Sequence, residues 1–151
     1  MSNHLFDALL AERQNDDRPF MLFADGGSWS YAQALTLSAK MAAVLVNHGI
    51  QPGDRVAVQV EKSPQAMALY FACLRSGAVL LPLNTAYTAT ELAYFIGDAE
   101  PAVVIVDSRG ASAIAEIAGA ATVLTLDADG GETLPVYNPA CPNERVGEVV
   151  Q

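Results

Sequence analysis

Leu5, Phe6, Leu9 and Leu10 recur at helical spacing behind Asn3, which predicts a short amphipathic helix capped by Asn3. The run Phe20 to Ala24 reads as a strand, Asp25-Gly26-Gly27 as a turn and Ser28-Trp29-Ser30 as the returning strand of a hairpin. Ser30 followed three residues later by Gln33 has capping-box form and opens a helix to about His48, with Gly49 as its stop. Pro52-Gly53-Asp54 turns the chain into a strand over 55–60. Ser63-Pro64 is a cap followed by proline at the first helical position, opening a helix over 65–76 that ends at Gly77. The apolar run 78–83 reads as a strand that stops at Asn84-Thr85. Thr88 with Glu91 is a second capping box, starting a helix to about Asp98. Behind Pro101, residues 102–106 are continuously apolar, the pattern of a strand covered on both faces. An Ala/Ile-rich helix within 108–119 and a short strand over 122–126 complete the series.

The order is helix, hairpin, then strands alternating with helices. It predicts an α/β fold: a mostly parallel sheet with right-handed crossovers, helices on both faces, and an N-terminal β-hairpin. After Asp127 the periodicity fails, and Asp129-Gly130-Gly131 and Tyr137 to Asn143 have loop composition. The expected organisation is one α/β unit over 1–126, followed by an irregular tail or truncated continuation over 127–151.

Composition sharpens this picture in one respect. The 151 residues are 52% apolar and 17% charged, fewer charges than an isolated domain of this size carries. Part of the surface is therefore expected to meet more protein. The net charge of −9 supplies no basic footprint for nucleic acid or an anionic membrane. Cys73 falls in an apolar helical segment and Cys141 in the Pro-rich tail, so no disulfide framework is expected and a reducing cytoplasm is the simpler setting. The N-terminus lacks the charged and apolar regions of a signal peptide, and the apolar stretches are too short for a membrane span.

Candidate chemistry is sparse. No P-loop and no G-x-G-x-x-G occurs, and Gly26-Gly27 belongs to a hairpin turn. His4 stands at a helix start and His48 in a last helical turn, both ordinary positions, and no metal-ligand spacing appears. Asp16-Asp17 reads as a solvated loop. Glu61-Lys62 and Asp107 follow strand ends, where parallel sheets place ligands, although a carboxylate there also caps the next helix. Asn84 and Thr85 stand at such an end too, and the residue types favour turn formation through bonds to their own backbone. A buried bond at Asn84 would make Asn84→Ala cost on the order of 1 kcal/mol.

Four stretches taken together resemble the start of an adenylate-forming enzyme of the acyl-CoA synthetase and AMP-binding superfamily. They are Trp29 to Leu35, Gly49 to Ala57, Leu74 to Asn84 and Glu91 to Pro101, and their order and spacing carry the likeness over about 3–126. Asn84 is typical of the acyl-CoA ligase branch, where amino-acid-activating relatives tend to carry Asp. Glu61-Lys62-Ser63 with Asn84 to Thr88 is particularly similar to malonyl-CoA synthetases.

The resemblance implies a ligase of acyl and fatty-acid metabolism. Such an enzyme joins a carboxylate to ATP with Mg²⁺, forming an acyl-adenylate and pyrophosphate, and then passes the acyl group to CoA with loss of AMP. The family's phosphate loop, its aromatic-Gly-x-Thr-Glu motif, its ribose-binding Asp and its C-terminal Lys have no counterpart here. No catalytic, cofactor-binding or metal residue is thus carried over, and no cofactor is expected to bind this chain tightly. The expected partners are the remainder of the enzyme and a second copy through exposed apolar surface. The alternative is a non-catalytic α/β binding or interaction module derived from such an enzyme.

Overall fold

A computed structural model describes residues 3–128 and Leu134. Asn3 caps the first helix as expected, its side-chain oxygen accepting from Leu5 N at 2.9 Å, and α1 spans His4–Leu9. A single 3-10 turn, Ala11–Arg13, follows; one turn is too short to show in the apolar periodicity. Strands β1 (Pro19–Leu22) and β2 (Ser28–Ser30) pair antiparallel. β1 stops before Phe23 because Phe23 N donates to Gly27 O across the turn, where Gly27 N also donates to Asp25 Oδ1.

Both capping boxes form. Gln33 N donates to Ser30 Oγ and Ser30 N to Gln33 Oε1, opening α2 (Tyr31–Asn47). Strand β3 (Arg55–Gln59) leads to α3 (Pro64–Ser76), whose first turn is capped by Ser63 Oγ accepting from Ala66 N. Gly77 ends α3 at φ 71°, and a Cβ there would lie 3.1 Å from Pro52 Cβ, so both backbone and space require glycine. Strand β4 (Val79–Pro82) precedes α4 (Ala89–Ala99), where Thr88 N donates to Glu91 Oε2 at 2.8 Å. That bond to the Thr88 backbone N–H holds the Glu91 carboxyl below its ordinary range. Strand β5 (Val103–Val106), α5 (Ala111–Ile117) and β6 (Thr122–Thr125) complete the series. The last helix starts at 111 rather than near 108, because Gly110 N donates to Asp107 Oδ1 and closes a turn first.

The sheet has the order β4-β3-β5-β6, and every pairing is parallel. α2 and α3 bury Leu37, Met41, Leu69 and Cys73 against Val56, Val103 and Ile105 on one face. On the other, α4 and α5 bury Leu92, Ile96 and Ile114 against Ala57, Val104 and Val106. All four residues of β5 are buried, which is why that strand reads as an unbroken apolar run. The expected fold class is thus the one found. Phe6 and Leu10 dock α1 onto Leu35 and Phe71, and the Arg75 guanidinium lies 4.5 Å from the Phe6 ring centroid. Of the expected tail, Asp127 and Ala128 lie in the described chain and Leu134 packs into the α2/α3-side core; the rest, with Cys141, lies outside the described residues.

Candidate functional site

Parallel strands deliver their following loops to one edge of the sheet, and where the crossovers diverge a crevice opens between the loops. From β3 the chain crosses to β4 on one side; from β5 it crosses to β6 on the other. The divergence lies between β3 and β5, and Glu61 and Asp107 follow these strands. Two grooves occupy this carboxyl edge. One, of about 810 Å³, runs over the ends of β3 and β4 between Glu61-Lys62 and Asn84-Thr85. Its apolar walls include Val58, Leu80 and Leu83, with Tyr70 and Tyr87 among its lining. The other, of about 460 Å³, lies over the ends of β3, β5 and β6 and is lined by Glu61, Asp107 to Arg109 and Leu126 to Ala128. Glu61 borders both.

The wall formed by 84–87 is built from local bonds and one long reach. Asn84 Oδ1 accepts from Ala86 N at 2.9 Å, and Tyr87 N donates to Asn84 O at 3.1 Å, so Asn84 shapes its own turn. From the neighbouring strand, Gln59 Nε2 donates to Asn84 O at 2.9 Å and ties the exit of β3 to that of β4. The Tyr87 ring stacks on Phe95 of α4 at 5.0 Å between centroids. Asn84 is exposed, so its turn bond lacks the burial that a full 1 kcal/mol cost would require.

The second groove is knitted differently. Asp107 Oδ2 pairs with Arg109 Nη2 at 3.2 Å, and Ser108 N donates to Asp127 Oδ1 at 2.8 Å. That backbone bond, with the Ser108 hydroxyl and the nearby Arg109 charge, holds the Asp127 carboxyl below its usual range.

The remaining sequence candidates sit elsewhere. His4 and His48 are exposed, at the start of α1 and at the C-cap of α2, and neither lines a groove. The solvated reading fails for Asp16, whose side chain is 13% exposed and takes bonds from Arg18 Nη2 at 2.6 Å and Arg13 Nη1 at 3.1 Å. The Arg18 bond holds its carboxyl well below the ordinary range. The cause is the entry to α2: Ala32 N donates to Asp16 O and Tyr31 N to Arg18 O, which folds this loop onto the helix start. Cys73 is buried as expected, and burial pushes its thiol up to about 12, far from a reactive thiolate.

Gln59, Tyr70 and Asp127 did not stand out in the sequence, whereas Tyr87 belongs to the stretch Asn84 to Thr88 singled out there. Only the signal of converging strand ends points to the first three, and it needs the strand order. Among the described residues no group of three or more His, Cys, Asp or Glu could hold a metal ion, and no helix is long and apolar enough to cross a membrane. A glycine-rich phosphate cradle is likewise missing from the described strand-to-helix loops.

The family model described as AMP-binding enzyme matches residues 9–148. The crystal structure of apo MatB from Rhodopseudomonas palustris superposes with a TM-score of 0.82 at 45% identity, covering 88% of this chain and 27% of that one. Its ATP-bound form matches the same shares at 47% identity and a TM-score of 0.77. A long-chain-fatty-acid–CoA ligase of Bacillus subtilis is 38% identical over 80 residues, 53% of this chain and 14% of the ligase. The chain thus spans well under a third of the length of these relatives.

Proposed function

The chain belongs to the AMP-binding enzyme family, and from that premise we propose that it is the N-terminal part of an ATP-dependent acyl-CoA synthetase. The reaction joins a carboxylate to AMP, with pyrophosphate leaving, and then moves the acyl group to the CoA thiol with AMP leaving. ATP as cosubstrate is supported by the family and by the ATP-bound MatB structure. Mg²⁺ and CoA follow from the reaction class. Residues 3–128 offer neither a metal cluster nor a triphosphate cradle, so we assign no step of the chemistry to them. They act as scaffold beside the remainder of the enzyme in a reducing cytoplasm, and the isolated 151-residue chain is inactive.

Malonate is the proposed acid. The observation that carries this choice is that the two stretches similar to malonyl-CoA synthetases, Glu61-Lys62-Ser63 and Asn84 to Thr88, are far apart in sequence yet both contribute to one groove, through Glu61 and Lys62 and through Asn84, Thr85 and Tyr87. The test has two arms. Calorimetry of residues 1–151 with Mg-ATP should show no micromolar binding; such binding would move the triphosphate site into this chain. A longer chain carrying these residues should release AMP when given malonate, ATP and CoA. Release with acetate or a long-chain acid, but none with malonate, would refute the substrate while leaving the reaction class in place.

The exposed apolar residues Leu22 (79%), Met67 (42%) and Tyr70 (40%) support a further part of this reading, association of the isolated chain through apolar side chains. Sedimentation showing a monomer alone at micromolar concentration would refute it.

A further inference from the structure

Among the described residues strand β4 is an outer strand of the parallel sheet, paired with β3 alone. Val79 N donates to Asp54 O and Leu83 N to Val58 O, both at 2.8 Å. Strand alternation therefore turns the backbone groups of Leu80 and Pro82 outward. The run Ala78 to Leu83 carries no charge, and Val79 is 52% exposed. An apolar edge with free backbone groups is a template for pairing with another strand. Two copies related by a twofold axis would meet β4 to β4, antiparallel.

We propose that Pro82 guards this edge against strand addition by a second copy of the chain. Proline has no N–H, so a strand laid along β4 finds one outward donor, that of Leu80, where any other residue at 82 would supply two. The ladder is cut short at the C-terminal end of β4, and the five-membered ring keeps the position extended while leaving its side chain on the groove. Contacts at this edge are thereby confined to side chains entering the groove, and β-sheet continuation is refused.

The experiment restores the missing donor. Pro82→Thr is compared with the unchanged chain by sedimentation velocity and thioflavin T binding across a concentration series, with circular dichroism to establish folding. The unchanged chain should be thioflavin-negative. Pro82→Thr should form thioflavin-positive species that grow with concentration, and adding Leu80→Lys to it should abolish them by placing a charge on the same edge. Should Pro82→Thr not fold, Pro82→Ala restores the same donor with a smaller side chain and is read in the same way. The proposal is overturned if a folded variant behaves like the unchanged chain, if the unchanged chain is itself thioflavin-positive, or if Leu80→Lys leaves the association intact.

Discussion

Asp107 and Asp127, at the exits of β5 and β6, accept from the backbone N–H groups of Gly110 and Ser108, whereas Glu61 and Lys62, at the exit of β3, are exposed and make no hydrogen bond or ion pair among the described residues. The two grooves share one edge of one sheet and a border residue, yet their polar groups are spent differently. A carboxylate bonded to backbone N–H groups of its own loop, as Asp107 is, or of the neighbouring one, as Asp127 is, fixes that loop and has little left to offer a ligand. A charged pair beside apolar walls and two tyrosines fixes nothing and remains free to meet another molecule. Position at a strand end, the sequence signal available for all of these residues, does not separate the two cases. Bonding does.

The contrast can be broken by substitution. Asp107→Ala removes the side-chain bond that braces the turn before α5 and should cost about 1 kcal/mol, the largest effect in this set, read as a shift of the denaturation midpoint at unchanged slope. No shift would mean that the β5 exit is as uncommitted as that of β3. Asn84→Ala removes an exposed turn bond and should stay within about 0.5 kcal/mol. A larger loss would make the 84–87 wall a stability element and erase the difference between the grooves. Glu61→Ala and Lys62→Ala should leave the unfolding midpoint of this chain within error, while in a longer active enzyme a fall in kcat/KM would give the first groove a substrate contact beyond its scaffold role. Unchanged turnover in both would remove the first groove from the reaction.

A pH series sharpens the same contrast. Asp127 and Asp16 have folded values below their unfolded ones, so the stability they contribute is present above the ordinary carboxylate value of about 3.9 and is lost as pH falls through the folded values. Asp127→Asn should flatten part of this acid limb.

The devices that sequence reading found were those whose two partners lie within a few residues. Ser30 with Gln33, Thr88 with Glu91, and Ser63 ahead of Pro64 are complete in themselves, and each formed as expected. Burial patterns gave the strands for a similar reason, since β5 lies between two layers of helix and carries no polar residue. What escaped depended on distant partners. The start of α5 is set by how Asp107 is used, and the ion pairs of Asp16 by how its loop folds onto α2. The first groove exists because β3 and β4 are neighbours with Val58 opposite Pro82, and no local pattern encodes that register. Its lip, Asn84 to Tyr87, was legible as a turn. Its long tie, the bond from Gln59, was not.

The strand order also bears on how the chain comes off the ribosome. β3 is the first strand of the parallel sheet to be made, yet it ends up between β4 and β5, with Val56 facing Leu80 on one side and Val103 on the other. While β4 and α4 are being synthesised, the flank of β3 that will receive β5 has no partner, and the apolar side chains of Val56, Ala57 and Val58 wait beside it. Non-local pairings of this kind form late and leave an aggregation-exposed interval. A nascent chain stalled between α4 and β5 is therefore the species for which a chaperone holding apolar strands would matter most, and release of Val103 to Val106 from the exit tunnel is the event that ends the need.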